Sequence, residues 1–235
     1  MQQKIYILIG LPGSGKTTYA RDIVSRSPER TVRISMDDIL QMISFYKFVR
    51  ENAPLYHDFE DTLYIKALAE GFDVVVDRTN IDRATREKFI KPAKIARDIA
   101  RDILKKWDEE RMSLFRESDE KIVAKIFNSM EFERHSLESR IKDAFQDVYN
   151  KSFTQSLYGE SPNFHKILKR VSNLKITGVY FNIPISTCIK RRTENPEVER
   201  RGEGIDWEEV ILRMVKRYQE PMVEEGFDEL IKIEE

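Results

Sequence analysis

A glycine-rich loop of pattern G-x-x-x-x-G-K-T runs from Gly10 to Thr17 and directly follows an apolar run at residues 5–9. Glycines let backbone N–H groups close around a chain of phosphates, and the helix that follows points its positive end at the same place. In this pattern Lys16 reaches the β- and γ-phosphates, and the hydroxyl group of Thr17 is a ligand for Mg²⁺. We therefore predict a P-loop that binds a nucleoside triphosphate with Mg²⁺ through the following residues: Gly10, Pro12, Gly13, Ser14, Gly15, Lys16, Thr17 and Thr18.

Two adjacent carboxylates, Asp37 and Asp38, follow a second apolar segment at residues 31–35. Strands of an open α/β sheet present functional side chains at their carboxyl ends, so a carboxylate here would face the γ-phosphate. Phosphoryl transfer to a hydroxyl group needs a proton acceptor at that point. We predict that Asp37 orients and deprotonates a substrate hydroxyl, and that Asp38 caps the helix that begins there.

A third carboxylate, Asp77, opens the sequence D-R-T-N directly after the apolar run at residues 72–76. It stands where a Walker B carboxylate would be, which predicts that it holds a water on Mg²⁺ or fixes Lys16 or Thr17. The alternative is a structural loop, in which Asp77 and Asn80 only form turns.

A basic segment at residues 190–204 follows the last long apolar run, and it contains Pro196, Gly202 and Gly204. Such a segment is typical of a lid that brings arginines over the transferring phosphates and excludes water. Arg191 is the predicted nucleotide contact in it. The interleaved glutamates are also compatible with an ordinary charged surface loop.

The elements that must position these side chains alternate between strands and helices, which predicts an α/β fold of the P-loop kinase type, with a parallel sheet flanked by helices. Helices are predicted at residues 16–24, 37–50 and 55–70. Strands are predicted at residues 5–9, 31–35, 72–76, 176–181 and 229–233.

Residues 92–172 have a different pattern, because apolar residues such as Ile95, Ile99 and Ile103 recur every fourth position. This spacing predicts three or four amphipathic helices and no strand. We therefore expect a kinase core at residues 1–91 and 173–235 and an all-helical insertion at 92–172. The insertion either packs on its own apolar faces or grips the substrate, and in the second case Lys166, Lys169 and Arg170 are the candidate phosphate contacts.

Composition excludes several classes of protein. The 40 basic and 41 acidic residues balance, so no global positive field indicates nucleic acid or a membrane surface. A single cysteine, Cys188, excludes a disulfide framework and fits a reducing compartment. No apolar run approaches the roughly 20 residues of a membrane span, and the apolar run before the P-loop is too short for a signal peptide. We expect a cytoplasmic protein without membrane contact.

Five segments together resemble the polynucleotide 5′-hydroxyl kinases, the P-loop kinase module of phage and animal end-healing enzymes. They are the P-loop, S-M-D-D at 35–38, D-R-T-N at 77–80, the basic segment from Arg191 to Gly202, and Y-Q-E-P-M-V-E-E-G-F at 218–227. The resemblance implies transfer of the γ-phosphate of ATP, with Mg²⁺, to the 5′-hydroxyl end of RNA or DNA. It also implies that Asp37 is the general base and that a lid arginine, best matched by Arg201 but also by Arg200, stabilises the transition state.

The chain departs from that family in three places. Leu40 stands where the phage kinase has an arginine, so one phosphate contact must come from elsewhere, such as Arg33, Lys47 or the insertion. The lid is longer than usual, which leaves the choice between Arg200 and Arg201 open. Residues 92–172 have no counterpart in the phage module. Two other functions therefore stay open, a different P-loop kinase (resembling the O-phosphoseryl-tRNA kinases or acting on a small metabolite) and a non-catalytic nucleotide switch.

Overall fold

The computed structural model describes residues 2–113, 119–156, 164–194 and 205–234. Within them, five strands form one parallel sheet in the order β2-β3-β1-β4-β5. The strands are β1 (Lys4–Ile9), β2 (Thr31–Ile34), β3 (Asp73–Val76), β4 (Lys175–Phe181) and β5 (Glu229–Ile233). All five predicted strands are confirmed, and the fold is an α/β fold of the P-loop kinase type.

The apolar runs form strands because the centre of the sheet is covered on both faces. In β1, Ile5, Ile7, Leu8 and Ile9 are all fully buried, which is typical of parallel sheets covered on both sides by helices. Strand β1 pairs with β3 on one side and β4 on the other. The chain therefore crosses to opposite sides of β1, and ligands of open sheets bind at the carboxyl end of such a strand.

The helices that accompany the sheet are α1 (Lys16–Arg26), α2 (Met36–Ser44), α3 (Ala53–Ala69), α8 (Ile185–Thr193) and α9 (Trp207–Val215). The predicted helix over residues 37–50 is wrong in its second half. Helix α2 ends at Ser44, because Phe45 and Tyr46 adopt left-handed backbone conformations with φ of 51° and 67°. The aromatic and β-branched residues that follow are weak helix formers, so the helix ends although the apolar pattern continues.

The remaining described helices are α4 (Arg83–Ser113), α5 (Asp119–Ser129), α6 (Leu137–Ser156) and α7 (Phe164–Ser172), and the described part of residues 92–172 contains no strand. Helix α4 continues through Pro92 without ending there. The every-fourth-residue pattern on it forms a buried stripe that includes Ile99, Ile103 and Trp107. No helix in the described ranges combines the length and hydropathy that crossing a membrane requires.

The chain divides into two compact units. The helical unit contains residues 1–3, 65–72 and 91–174, and the sheet unit contains residues 4–64, 73–90 and 175–235. In the helical unit, the side-chain amide of Gln3 donates hydrogen bonds to backbone carbonyls including that of Phe72, at 2.7 Å. The predicted domain division at residues 91 and 173 stays a prediction.

Candidate active site

The P-loop has the turn that its glycines predict. Gly13 and Gly15 have φ of +83° and +95°, in the left-handed region that favours glycine. A Cβ atom on Gly13 would lie 2.3 Å from the carbonyl oxygen of Cys188 in α8, so only glycine fits there. The N–H of Gly10 donates to the carbonyl oxygen of Thr79 at 2.9 Å, which ties the loop to the segment after β3.

Lys16 is buried beneath this loop. Its ammonium group donates to the carbonyl oxygen of Leu11 at 2.7 Å and to the hydroxyl oxygen of Ser14 at 3.3 Å. Burial lowers the pKa of Lys16 from its ordinary value to about 8, although the nearby carboxylates of Asp77 and Asp37 oppose the change. A bound phosphate would favour the charged form of Lys16 and so oppose this effect of burial.

A cavity of about 680 Å³ lies at the carboxyl end of β1 in the sheet unit. It brings together most of the residues predicted for the site: Pro12, Gly13, Gly15, Lys16, Thr17, Thr18, Asp37, Asp77 and Arg191. The cavity is also lined by residues of the predicted motifs that were not among the predicted site residues: Ser35, Met36, Arg78, Thr79, Arg192 and Glu194. Trp207 and Met214, which lie outside those motifs, complete the lining. Arg200 and Arg201, with most of the predicted lid, lie outside the described residues.

Asp37 lies at the exposed rim of this cavity, in the first turn of α2. Ser35, the residue that precedes the helix, makes no side-chain capping hydrogen bond. Asp38 does not cap the helix in the way we predicted; its carboxylate forms an ion pair with Arg33. The two neighbouring aspartates therefore differ, because Asp37 lines the cavity while Asp38 pairs with a cation of β2.

Asp77 is held by the same arginine. The Nε of Arg33 donates to Asp77 at 2.8 Å, and the Asp77 side chain is almost fully buried. Burial acts to lower the pKa of Arg33, but the charges of Asp77 and Asp38 outweigh it and raise the pKa. The guanidinium group of Arg33 thus bridges two carboxylates and fixes the orientation of Asp77, so Arg33 is already committed to these two partners.

Arg78 is a cation of the cavity wall that the prediction missed. Its guanidinium group donates to Glu60, a residue of α3 that is only 2 % exposed. Burial raises the pKa of Glu60, and the charge of Arg78 opposes that rise. The hydrogen bond to a buried carboxylate restricts the position and orientation of the Arg78 guanidinium group. No sequence signal links the two residues, because they are 18 positions apart on different elements.

Arg192 and Trp207 form a second unpredicted pair in the lining. The guanidinium carbon of Arg192 lies 3.9 Å from the centre of the Trp207 ring, a cation–π contact between α8 and α9. Arg192 lies near the start of the predicted lid segment, and Trp207 follows the end of that segment. The contact therefore joins described residues from before and after positions 195–204 at the cavity.

A buried ion pair fixes the segment after β3. Arg86 is fully buried and makes two hydrogen bonds to the Glu225 carboxylate, each 2.6 Å long. The same guanidinium group donates to the carbonyl oxygens of Asn80 at 3.1 Å and Gln219 at 2.9 Å. The Asn80 side chain in turn donates to the carbonyl oxygen of Leu8 at 2.8 Å. D-R-T-N and the segment at 218–227 thus belong to one network beneath the site.

We expect Arg86→Met to lower the free energy of unfolding by about 3–5 kcal/mol, because it leaves the Glu225 carboxylate buried and unpaired. Urea denaturation measures the change. The matched control is Arg217→Met, which removes an exposed guanidinium group from its ion pair with Asp82 and should cost less than about 1 kcal/mol. Equal losses in the two variants would show that the buried pair contributes no more than a surface one.

The basic residues predicted to contact nucleic acid from the helical unit lie on α7. Lys166 and Lys169 are exposed, and Arg170 is half-buried. The backbone carbonyl of Arg170 accepts a hydrogen bond from the N–H of Gln3 at 3.3 Å. Their contact with a substrate stays a prediction.

Comparison with known proteins adds a family and two solved structures. A fungal RNA kinase is 13 % identical over 99 % of this chain and 76 % of its own, with a TM-score of 0.46. A chain of the Pnkp1/Rnl/Hen1 RNA repair complex is 16 % identical over 99 % of this chain and 80 % of its own, with a TM-score of 0.33. Neither score is high enough to support an argument from these two structures.

A family model described as an AAA domain matches residues 5–134, a stretch that contains the P-loop, Asp37 and Asp77. This match covers more than half of the sequence, so the chain belongs to this AAA domain family, and its fold is that of a P-loop kinase.

Proposed function

We propose that this protein transfers the γ-phosphate of ATP to the 5′-hydroxyl end of RNA or DNA. The observation that carries the proposal is that the P-loop, Asp37 and Asp77 line the same cavity. A phosphate cradle that faces a carboxylate is what transfer to a hydroxyl group requires, because this reaction depends mainly on positioning and on charge stabilisation. The 5′-hydroxyl as acceptor rests on the five segments that resemble polynucleotide kinases.

The donor side of the cavity fits ATP with Mg²⁺. Backbone N–H groups of the loop and the ammonium group of Lys16 would hold the phosphates. The hydroxyl of Thr17 and the carboxylate of Asp77 are hard oxygen ligands of the kind that Mg²⁺ prefers. Arg33 engages one oxygen of Asp77, which leaves the other oxygen for a water on the ion. When bound, Mg²⁺ would neutralise charge on the β- and γ-phosphates.

The acceptor side depends on Asp37. The 5′-hydroxyl oxygen attacks the γ-phosphorus, the bond to the bridging oxygen of ADP breaks, and the hydroxyl proton passes to the Asp37 carboxylate. The phage kinase has a phosphate-binding arginine at the position of Leu40. Arg78, which is held by Glu60 and lines the same cavity, supplies that phosphate contact here. Arg201 is retained as the proposed lid arginine on the ground of the resemblance alone.

The proposal is tested with ATP labelled on the γ-phosphate and a panel of acceptors. The panel contains RNA and DNA oligonucleotides with a 5′-hydroxyl, the same oligonucleotides with a 5′-phosphate, intact tRNA and small alcohols. We expect label on the 5′-hydroxyl strands and none on their 5′-phosphorylated counterparts. Label on tRNA or a small alcohol alone would contradict the proposal, as would binding of ATP without any transfer.

We also expect ATP binding to take up protons above pH 8. The pKa of Lys16 is about 8 without nucleotide, so the side chain is mostly neutral at higher pH, whereas a triphosphate favours its charged form. Affinity for ATP should therefore fall as the pH rises from about 8, by up to roughly tenfold per pH unit. Calorimetry at pH 8.5 in two buffers of different ionisation enthalpy measures the uptake. Lys16→Met should abolish it, and unchanged uptake in that variant would assign the proton elsewhere.

A further inference from the structure

The segment between α2 and α3 presents aromatic side chains to solvent. Its sequence is F-Y-K-F-V-R at residues 45–50, named here the aromatic segment. Phe45 is 85 % exposed and Phe48 is 60 % exposed, and Lys47 and Arg50 are exposed beside them. Single exposed apolar residues are common, but a run of exposed aromatic rings marks a binding surface.

The segment is ordered by its own contacts. The N–H groups of Phe45 and Tyr46 donate to the carbonyl oxygens of Gln41 and Leu40, at 3.2 and 3.1 Å. The Tyr46 hydroxyl donates to the Gln41 side chain at 2.6 Å. The ring of Phe48 packs against the buried ring of Tyr56, with 5.8 Å between the ring centres. The left-handed backbone at residues 45 and 46 thus turns the chain outward in a defined conformation.

The same helix connects the aromatic segment with the proposed base. Asp37 lies in the first turn of α2, and Phe45 directly follows the last residue of that helix. At 1.5 Å per residue, the two lie roughly 12 Å apart along the helix axis. A strand with its 5′-hydroxyl at Asp37 has its next nucleotides within reach of Phe45 and Phe48.

The mixture of side chains selects the occupant. Proteins bind single-stranded nucleic acid with aromatic side chains interleaved with cations. The bases stack on the aromatic rings, and the cations neutralise the charges of the phosphodiester backbone. The neighbouring face of α3 also exposes Phe59 and Leu63, but Asp58 and Asp61 accompany them. Acidic residues would repel phosphates there, so the surface suited to nucleic acid is confined to residues 45–50.

We propose that the aromatic segment is a nucleobase-binding site, on which unpaired bases behind the reacting 5′ end stack against Phe45 and Phe48. Lys47 and Arg50 lie against the phosphates between those bases. The site rests on the proposed function for its position relative to the reacting end, and it selects acceptors whose first few nucleotides are unpaired.

The test compares two double variants. Phe45→Leu with Phe48→Leu keeps the apolar contact with Tyr56 but removes the flat rings, whereas Phe45→Tyr with Phe48→Tyr keeps the rings. Fluorescence anisotropy measures binding of a labelled single-stranded 12-mer with a 5′-hydroxyl. We expect the leucine variant to lose about 30-fold in affinity, the lower end for loss of two stacked bases, and the tyrosine variant to stay within about twofold of the parent.

Steady-state kinetics test whether the lost affinity comes from the bases that follow the 5′ end. In the leucine variant, the preference in kcat/KM for the 12-mer over a 3′-phosphorylated mononucleoside should shrink about 30-fold, and abasic sites at the third and fourth nucleotides should cause the same loss in the parent. The matched control is Phe59→Ala with Leu63→Ala, which should bind the 12-mer as the parent does.

Several results would overturn the site. They are parent-like binding of the 12-mer by the leucine variant, an equal loss in the leucine and tyrosine variants, an equal loss in the α3 control, and a parent that does not bind the 12-mer. Because binding is measured without ATP, a protein that binds the 12-mer through its rings but phosphorylates no 5′-hydroxyl would refute the proposed function and leave the nucleobase site standing.

Discussion

Replacing Asp37 by asparagine is expected to lower turnover by about 10²–10⁴-fold, the usual contribution of a general base. Asparagine keeps the size of the side chain and its place in the first turn of α2, but it cannot accept the proton of the attacking hydroxyl. Binding of ATP should stay near the parent value, because the P-loop and Lys16 are unchanged. Single-turnover transfer and a separate measurement of ATP affinity distinguish the two effects.

The adjacent aspartate is the control for this experiment. Asp38 pairs with Arg33 rather than lining the cavity, so Asp38→Asn should change turnover only a few-fold. Parent-like turnover in Asp37→Asn combined with a large loss in Asp38→Asn would reverse the assignment of the base.

Replacing Lys16 by methionine is expected to lower kcat/KM for ATP at least about 10³-fold, since the preorganised positive charge that stabilises the transferring phosphate is lost. Stability should change in the opposite direction. The pKa of Lys16 is held below that of an unfolded lysine by burial, so the charged form destabilises the fold at pH 7. Methionine removes that cost, and the free energy of unfolding should rise by about 1–3 kcal/mol.

The gain in stability of Lys16→Met over the parent should depend on pH. Between the folded pKa of about 8 and the ordinary value, the unfolded parent binds more protons than the folded parent, so the stability of the parent rises with pH. The advantage of Lys16→Met is therefore largest below pH 8 and disappears as the pH approaches the ordinary lysine pKa. Urea denaturation at several pH values measures it, with Lys216→Met as an exposed control. An advantage that does not vary with pH would mean that Lys16 carries no buried charge.

Local patterns were sufficient to predict the sheet and the P-loop. Residues 5–9 form a strand because they are apolar without interruption, and the glycine spacing of the next residues allows one kind of turn. The rule that parallel strands present their carboxyl ends together then predicts Asp37 and Asp77 at the same cavity. The same reasoning failed at Phe45, because apolar periodicity continues through the aromatic segment although the helix has ended.

Pairs that are distant in sequence were not predictable from one chain. Glu60 holds Arg78 from another element, and Trp207 packs on Arg192 from the far side of the lid segment. Both contacts depend on how helices pack on the sheet, which no local spacing encodes. The link between Arg86 and Glu225 spans 139 positions. Glu225 lies in one of the motifs, the segment at 218–227, whereas Arg86 lies in none of them. Only the folded structure shows that Arg86 joins that segment to D-R-T-N.

The ion pair between Arg86 and Glu225 also determines the order of events during synthesis. The P-loop leaves the ribosome before β4, Gln219 and Glu225, and domains fold as units as their chains emerge. Strand β1 needs β4 as a neighbour, and the segment after β3 needs Glu225 and Gln219 to satisfy its arginine. Some two hundred residues of translation therefore separate the phosphate loop from the partners that secure it. Until Glu225 emerges, Arg86 lacks the carboxylate that it pairs with in the folded structure, so the nucleotide cavity cannot be complete before that point of translation.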